Sequence, residues 1–414
     1  MPKAGWPATW MLALVIPGAA TARAGTEADF YATRPLFERP FPAQRVPVGL
    51  KSLSARECGG CHVAVYREWQ QSVHAQAWVD PQFQGEMRKQ PGVAWLCVNC
   101  HTPLVNQLDS LVTGLEGGDV ERPVKRVNPG FVRALQEEAI TCAACHVRDG
   151  AVEGPFRDVR APHATRYSAE FRSPALCLRC HQAVQSYPGK NFICTFQTGE
   201  EWQAGPWAAR GAPCQDCHMP PATRPLAPGG PARRTASHGW IGSHLKKGRE
   251  AAPALWDSLA ARLPPGVELR PDPAPRAAPG AAATWRVRVV NSHAGHRLPT
   301  GDPEREVRVE LAALSAAGDP LARSELVIAQ RYQWYPVVRK LSDNRLAPGG
   351  ATTATLRFRM PHGAYRLVAR ALNVRISDAN ADYHHLPAWY PRRAEVARVA
   401  LDVPGRQQPS RSRP

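Results

Sequence analysis

Outside one repeated motif the chain has almost no cysteine: Cys194 is the single exception among eleven, and none follows Cys217. The C-terminal half therefore cannot carry a disulfide framework. No cysteine precedes Cys58 either, which excludes an N-terminal lipoprotein anchor. After residue 24 there is no apolar run of the about 20 residues that a bilayer span takes. Acidic residues are short as well, 35 Asp and Glu against 52 Lys and Arg, for a formal net charge of +17. That excess invites a nucleic-acid or membrane-surface reading, yet no nucleic-acid module accompanies it, and solvated surface charge is the plainer account.

What is present is a fivefold Cys-x-x-Cys-His: Cys58/Cys61/His62, Cys97/Cys100/His101, Cys142/Cys145/His146, Cys177/Cys180/His181 and Cys214/Cys217/His218. Composition alone yields about 0.01 such matches in a chain of this make-up. The motif is the attachment signature of c-type haem. Two thiols add across the two vinyl groups on one porphyrin edge, and the adjoining histidine reaches the iron as proximal ligand. Disulfides or structural zinc would leave that histidine unexplained in every copy. Five covalently attached haems, with their iron, are the expected cofactors. Their ionised propionates would bring roughly −10 of charge, so much of the arginine excess has an internal use.

Residues 1–24 read as a secretory signal, with Lys3 before an apolar stretch and Ala22-Arg23-Ala24 as a small-x-small cleavage site. Cleavage after Ala24 makes the protein periplasmic or otherwise exported, where c-type haem is attached; an uncleaved anchor is the alternative. Residues 25–262 hold all five motifs, a density that leaves no room for a conventional side-chain core and turns the haems into the core. Apolar spacing of three and four predicts helices over 62–78 and 131–145. Residues 223–236 read as a long surface loop, and 263–283, rich in proline, as an interdomain linker. From 284 to 404 the periodicity switches to strand-like alternation over 284–291, 304–314, 321–334, 351–360, 364–376 and 394–403. Such strands predict an antiparallel β-sandwich of roughly immunoglobulin-like size. Residues 405–414, polar and proline-bearing, read as a disordered tail.

Five buried irons need sixth ligands. His74 stands twelve residues after His62, about 18 Å along a helix axis, and so cannot cap the iron that His62 binds. It serves a different haem or none. His163, His238, His244 and His296 complete a set of five candidate distal ligands. His293, His362, His384 and His385 read as ordinary surface or core histidines, with His384 and His385 a spare ligand pair; Met219 reads as packing. Cys194 reads as a buried inert thiol, with a thiolate ligand or redox role as the alternative.

The run Cys58-Gly-Gly-Cys-His62 followed by Trp69-Gln-Gln-Ser-Val-His74-Ala-Gln-Ala resembles the opening of multihaem cytochromes c related to the tetrahaem electron acceptor of hydroxylamine oxidoreductase. Ile140 to His146, Gly154-Pro155, Pro162-His163 and Cys177 to Gln182 are similar to that family's middle portion, and Gln197 to Trp202 leading to Cys214-Gln-Asp-Cys-His-Met-Pro220 is close to a segment of its larger relatives. Gly295 to Gly301 resembles an element of members with an added β-domain. The resemblance implies that His74 binds another haem and that His296 returns to one. Two departures matter: this chain has five motifs rather than four, and it lacks the Cys-x-x-Cys-Lys site that marks ammonia-forming nitrite reductases.

The fold class expected is α+β: a loop-rich, mainly helical pentahaem domain followed by an all-β domain. The function expected is an exported cytochrome that relays electrons between redox partner proteins, by hopping through closely packed bis-His haems. Neither nucleic acid nor a later transmembrane span enters this reading. An enzyme is the alternative: a reductase or oxidase of a small nitrogen or sulfur compound, with one five-coordinate haem and Arg297 or the His384/His385 pair polarising the substrate. A third reading makes the β-domain a docking module for a partner complex or for neighbouring copies.

Overall fold

The structure, a computed structural model, describes residues 26–405 except 188, 192 and 247–251. The expected signal, residues 1–24, and nearly all of the expected tail lie outside them.

Short helices, few of them longer than two turns, carry the motifs in the first half of the chain. Ala94–His101, Cys142–His146, Ala175–His181 and Cys214–His218 each contain a whole motif, while the first motif starts in Ala55–Gly59 and ends with His62 as the N-cap of Val63–Gln71. One turn of helix sets positions i, i+3 and i+4 on one face. The two thiols and the histidine of a helical motif therefore point the same way. Side-chain clusters in this half are small; a typical one gathers Phe41, Leu53, Leu104 and Leu135.

The two helices expected from periodicity are both shorter than the pattern. Val63–Gln71 stops at Ser72, whose backbone is extended and whose Oγ accepts the Ala75 N–H at 3.2 Å, so His74 lies in a turn after the helix. The stretch 131–145 divides into Arg133–Glu137 and Cys142–His146, separated by Ala139 at φ 53. A left-handed residue ends an α-helix whatever the side-chain spacing. The expected loop at 223–236 is a hairpin, Pro221–Pro225 paired with Ala232–Ala236, with Gly229 at φ 75 in its turn. Arg224 pins it to Glu68 through two bonds of 2.7 and 2.8 Å.

In the second half, the strands Ala282–Asn291, Glu306–Ser315, Pro320–Gln333, Ala351–Arg359, Tyr365–Val374 and Arg393–Val403 follow the six alternating runs closely. Two further strands were not legible. Arg339–Asp343 pairs with Pro320–Gln333, and Val267–Pro271 pairs antiparallel with Ala282–Asn291, from Val267 opposite Asn291 to Pro271 opposite Val287. Part of the expected linker is thus sheet, because Val267 and Leu269 alternate into the core despite the prolines around them. A three-stranded and a five-stranded antiparallel sheet result. Their facing side chains share one core: Trp285, Val287 and Val289 from one sheet meet Val307, Val309, Leu311, Leu367 and Ala369 from the other. Strand alternation produces this, since every second residue faces the partner sheet.

The halves are joined by buried polar contacts. Arg345 pairs with Glu201 at 2.6 Å, Glu201 also accepts from the Thr300 hydroxyl at 2.6 Å, and the Tyr390 hydroxyl donates to Asp80 at 2.7 Å. His384, read from sequence as an ordinary histidine or half of a spare ligand pair, is buried with Nε2 2.8 Å from Glu86 Oε1. No helix among the described residues is long and apolar enough to cross a membrane.

Candidate metal centres

Four of the motif histidines each face a second histidine. The ring centres of His62 and His163 are 6.4 Å apart, those of His181 and His74 6.3 Å, those of His146 and His238 6.1 Å, and those of His218 and His296 6.2 Å. Rings in van der Waals stacking would be nearer. His74 faces His181 rather than His62.

The orientation of the rings is fixed from behind. His62 Nδ1 lies 2.8 Å from the Leu226 carbonyl, His146 Nδ1 2.8 Å from that of Glu153, His101 Nδ1 2.9 Å from that of Ala77, His238 Nδ1 3.0 Å from that of Ala236, and His296 Nδ1 2.9 Å from that of Arg297. A carbonyl only accepts, so each of these rings carries its proton on Nδ1 and presents a bare Nε2. Burial depresses the proton affinity of His146, His181 and His296, and drives that of His218 and His238 down to about 4. Neutral imidazole is the form that binds a metal.

His244 is arranged the other way. Its Nε2 lies 2.9 Å from the Leu263 carbonyl, and its backbone has φ 60. The nitrogen that a distal ligand would offer is thus engaged with protein, and the structure does not bring His244 into the set that faces motif histidines. His101 stacks on Phe83, with ring centres 3.7 Å apart and 5° between planes.

The motif thiols differ in exposure at two positions. Eight of the ten motif cysteines are half-buried, but Cys61 and Cys217 are exposed. Cys61 falls in the turn between Ala55–Gly59 and Val63–Gln71, where its N–H donates to the Cys58 carbonyl at 3.2 Å; the first motif is not enclosed in one helix as the other four are. Cys217 lies on Cys214–His218, a five-residue helix with no buried residue. Spacing within the motif, rather than burial, is what thioether attachment requires, so both positions remain suited to it.

The motifs also touch one another. Cysteines of different motifs lie beside one another in three places, Cys58 and Cys142, Cys100 and Cys180, and Cys177 and Cys214. Cys194, half-buried, lies in the hairpin of Ala183–Ser186 and Ile193–Phe196, opposite Gln185, and burial pushes its thiol up to about 12.

The sequence model of the family described as cytochrome c554 and c-prime matches residues 57–118. Among solved structures, the penta-heme cytochrome c552 from Thermochromatium tepidum is similar at a TM-score of 0.59 and 17% identity, over 86% of this chain and 100% of that one. The two findings support a multihaem cytochrome c family. They indicate covalently bound haem c, and with it electron transfer. At that identity the structural likeness speaks for the fold alone. Two other likenesses, to a glycosyl hydrolase family 2 member from Bacteroides cellulosilyticus (TM-score 0.17, 12% identity, 34% of this chain and 14% of that one) and to a PapD-like domain of human CEP192 (TM-score 0.17, 14% identity, 35% and 87%), are too slight to bear on the fold. No curated protein matches the chain.

The residues of this chain fit haem. Two imidazole nitrogens each about 2.0–2.1 Å from a shared metal, with about 1.1 Å more from nitrogen to ring centre, separate the rings by roughly 6.2–6.4 Å. The four pairs stand at that spacing, and the porphyrin nitrogens would fill the other four positions of each iron.

Three contributors escaped the sequence reading. Trp240 packs against both His74 and His238, with centroids 4.7 and 4.9 Å away, and so touches two centres at once. Phe171 stacks on His146 at 4.7 Å. Glu68 accepts the backbone N–H of His238 at 2.9 Å while paired to Arg224; burial is the largest single influence and works against its charge, but the hydrogen bonds and charge of Arg224 and the contacts of His238 together outweigh it and hold the carboxyl below its ordinary range. Only Trp240 had a signal, as an aromatic two residues beyond a candidate ligand.

Proposed function

We propose that the protein is an exported pentahaem electron carrier, with each haem attached through one Cys-x-x-Cys-His motif and bis-histidine irons formed by His62 with His163, His181 with His74, His146 with His238, and His218 with His296. The observation that carries this reading is the ring spacing of the four pairs, 6.1 to 6.4 Å. Haem supplies a reversible one-electron centre. The chain does the rest: thiols fix the group covalently, imidazoles ligate, backbone carbonyls behind Nδ1 raise ligand basicity, and Trp240, Phe171 and Phe83 exclude water beside the imidazoles. Contacts between thiols of different motifs support close approach of neighbouring haems. Residues 1–24 support export, and the kinship with electron acceptors of hydroxylamine oxidoreductase rests on the motif pattern.

The test is intact mass together with electron paramagnetic resonance of the oxidised holoprotein. Five haems and low-spin signals from the four paired irons are expected. Fewer haems, or a high-spin signal that persists when His74, His163, His238 and His296 are all intact, would move the assignment toward a reductase or oxidase with an open iron.

A further inference from the structure

Arg375 and Arg305 both belong to the β-rich half, one just after Tyr365–Val374 and the other just before Glu306–Ser315. Arg375 is 3% exposed. Its Nη2 donates to the Leu245 carbonyl at 2.6 Å, and its guanidinium lies over the Tyr390 ring at 5.2 Å, but Nε and Nη1 have no hydrogen-bond partner among the described residues. A buried cation with two unsatisfied N–H groups is costly enough that a native structure supplies an anion.

The second guanidinium is within electrostatic reach. Arg305 donates to the Ser243 hydroxyl at 3.3 Å, and burial followed by the charge of Arg375 lowers its proton affinity. The nearby acids are committed elsewhere. Asp80 accepts from the Tyr390 hydroxyl at 2.7 Å and from the Gln82 N–H at 3.3 Å, and Asp302 accepts from the Glu304 N–H at 2.8 Å. Two like charges share this interior, and no anion among the described residues is bonded to either guanidinium.

We infer that Arg305 and Arg375 receive the propionate carboxylates of a neighbouring haem. This rests on the five-haem reading above. A haem carries two carboxylates on the edge away from its thioethers, and the guanidinium fork matches carboxylate geometry. The β-rich half then grips the haem domain twice, by an imidazole at an iron and by two cations at a carboxylate edge.

The experiment uses the full-length holoprotein and its Arg375→Gln, Arg375→Lys and Arg305→Gln variants. Midpoint potentials are read by spectropotentiometric titration, and haem count and spin state are read alongside. A cation beside a haem disfavours the ferric state, so each Gln variant should show one midpoint at lower potential, with mass and low-spin signals unchanged and Arg375→Lys close to the parent. Midpoints identical to the parent's in both Gln variants would overturn the inference. So would an inorganic oxyanion site: nitrite, sulfite or phosphate perturbing the parent's spectrum but not the variants', with midpoints unchanged in its absence. If Arg375→Gln does not fold, the half-buried Arg305 decides through Arg305→Gln. A parent with fewer than five haems or with high-spin iron at a paired site counts against the five-haem reading, whereas unmoved midpoints in a pentahaem parent count against this inference alone.

Discussion

The imidazoles of His218 and His296 lie parallel, 6.2 Å between ring centres and 9° between planes, although one ends the last Cys-x-x-Cys-His motif and the other sits in a turn of the β-rich half. The turn is held in place: Asn291 donates to the His296 carbonyl at 2.9 Å, and Thr300 is bonded to Glu201. Under the proposed ligation this pair would link the two halves through a metal, and it yields the first prediction.

His296→Ala should convert one iron to high spin without loss of haem, and should raise protease sensitivity between residues 272 and 281, which lie between two strands of the β-rich half. Electron paramagnetic resonance and limited proteolysis of the same sample check both. A variant that gains no high-spin iron over the parent would show that His296 only packs against His218.

Glu68→Gln should weaken the haem domain by about 3 kcal/mol, the lower end for breaking a buried ion pair, and should disturb the centre of His146 and His238 more than the others. Its pH dependence has a definite sign. The folded carboxyl titrates below its ordinary value near 4.5, so the Arg224 pair contributes fully above that value and fades as the pH falls through the lower folded one. The gap between parent and variant in denaturant unfolding should therefore close on acidification.

Glu304→Gln should do the opposite. Burial first, then Asp302 and Glu86, raise the Glu304 carboxyl to about 7, and its Oε2 has no hydrogen-bond partner among the described residues. Such a group is protonated in the fold and ionised in the unfolded chain, so it costs stability progressively as the pH rises from 4.5 to about 7. The variant should match the parent near pH 4 and exceed it at pH 8 by roughly 2–3 kcal/mol in thermal or urea unfolding.

Trp285→Ala should destabilise the β-rich half by about 3–5 kcal/mol, since the side chain is fully buried and its removal also strands the Asp272 carbonyl that Nε1 donates to at 2.9 Å. Far-ultraviolet circular dichroism should show an earlier β transition while the haem spectrum of the first half holds.

The strands were legible because their signal is local: alternation such as Trp285, Val287, Val289 carries the face that will be buried. Val267–Pro271 was hidden by the prolines around it, since composition over a window outweighed a five-residue alternation. In the first half, helices were overread, because Ala139 takes a left-handed backbone that no apolar spacing reveals. The motif thiols were legible as a set, whereas the exposure of Cys61 was not, because it depends on the turn that separates two helices within one motif. The candidate ligands were legible as residue types and illegible as pairs. Nothing local says that His74 meets His181, because that depends on how the short helices pack around groups the sequence does not contain. His244 shows the limit of counting: its position after the fifth motif suited a ligand, and a single carbonyl, that of Leu263, claims the nitrogen instead.

The facing pairs have an order in time. Read from the N-terminus, His163 completes the pair with His62, His181 the pair with His74, His238 the pair with His146, and His296 the pair with His218. A chain emerging vectorially would finish its centres in that sequence, each waiting on a segment not yet made. A truncated product would carry its covalent groups yet leave its last centre open, so the incomplete chain would be spectroscopically distinguishable from the finished one at every stage of its biogenesis.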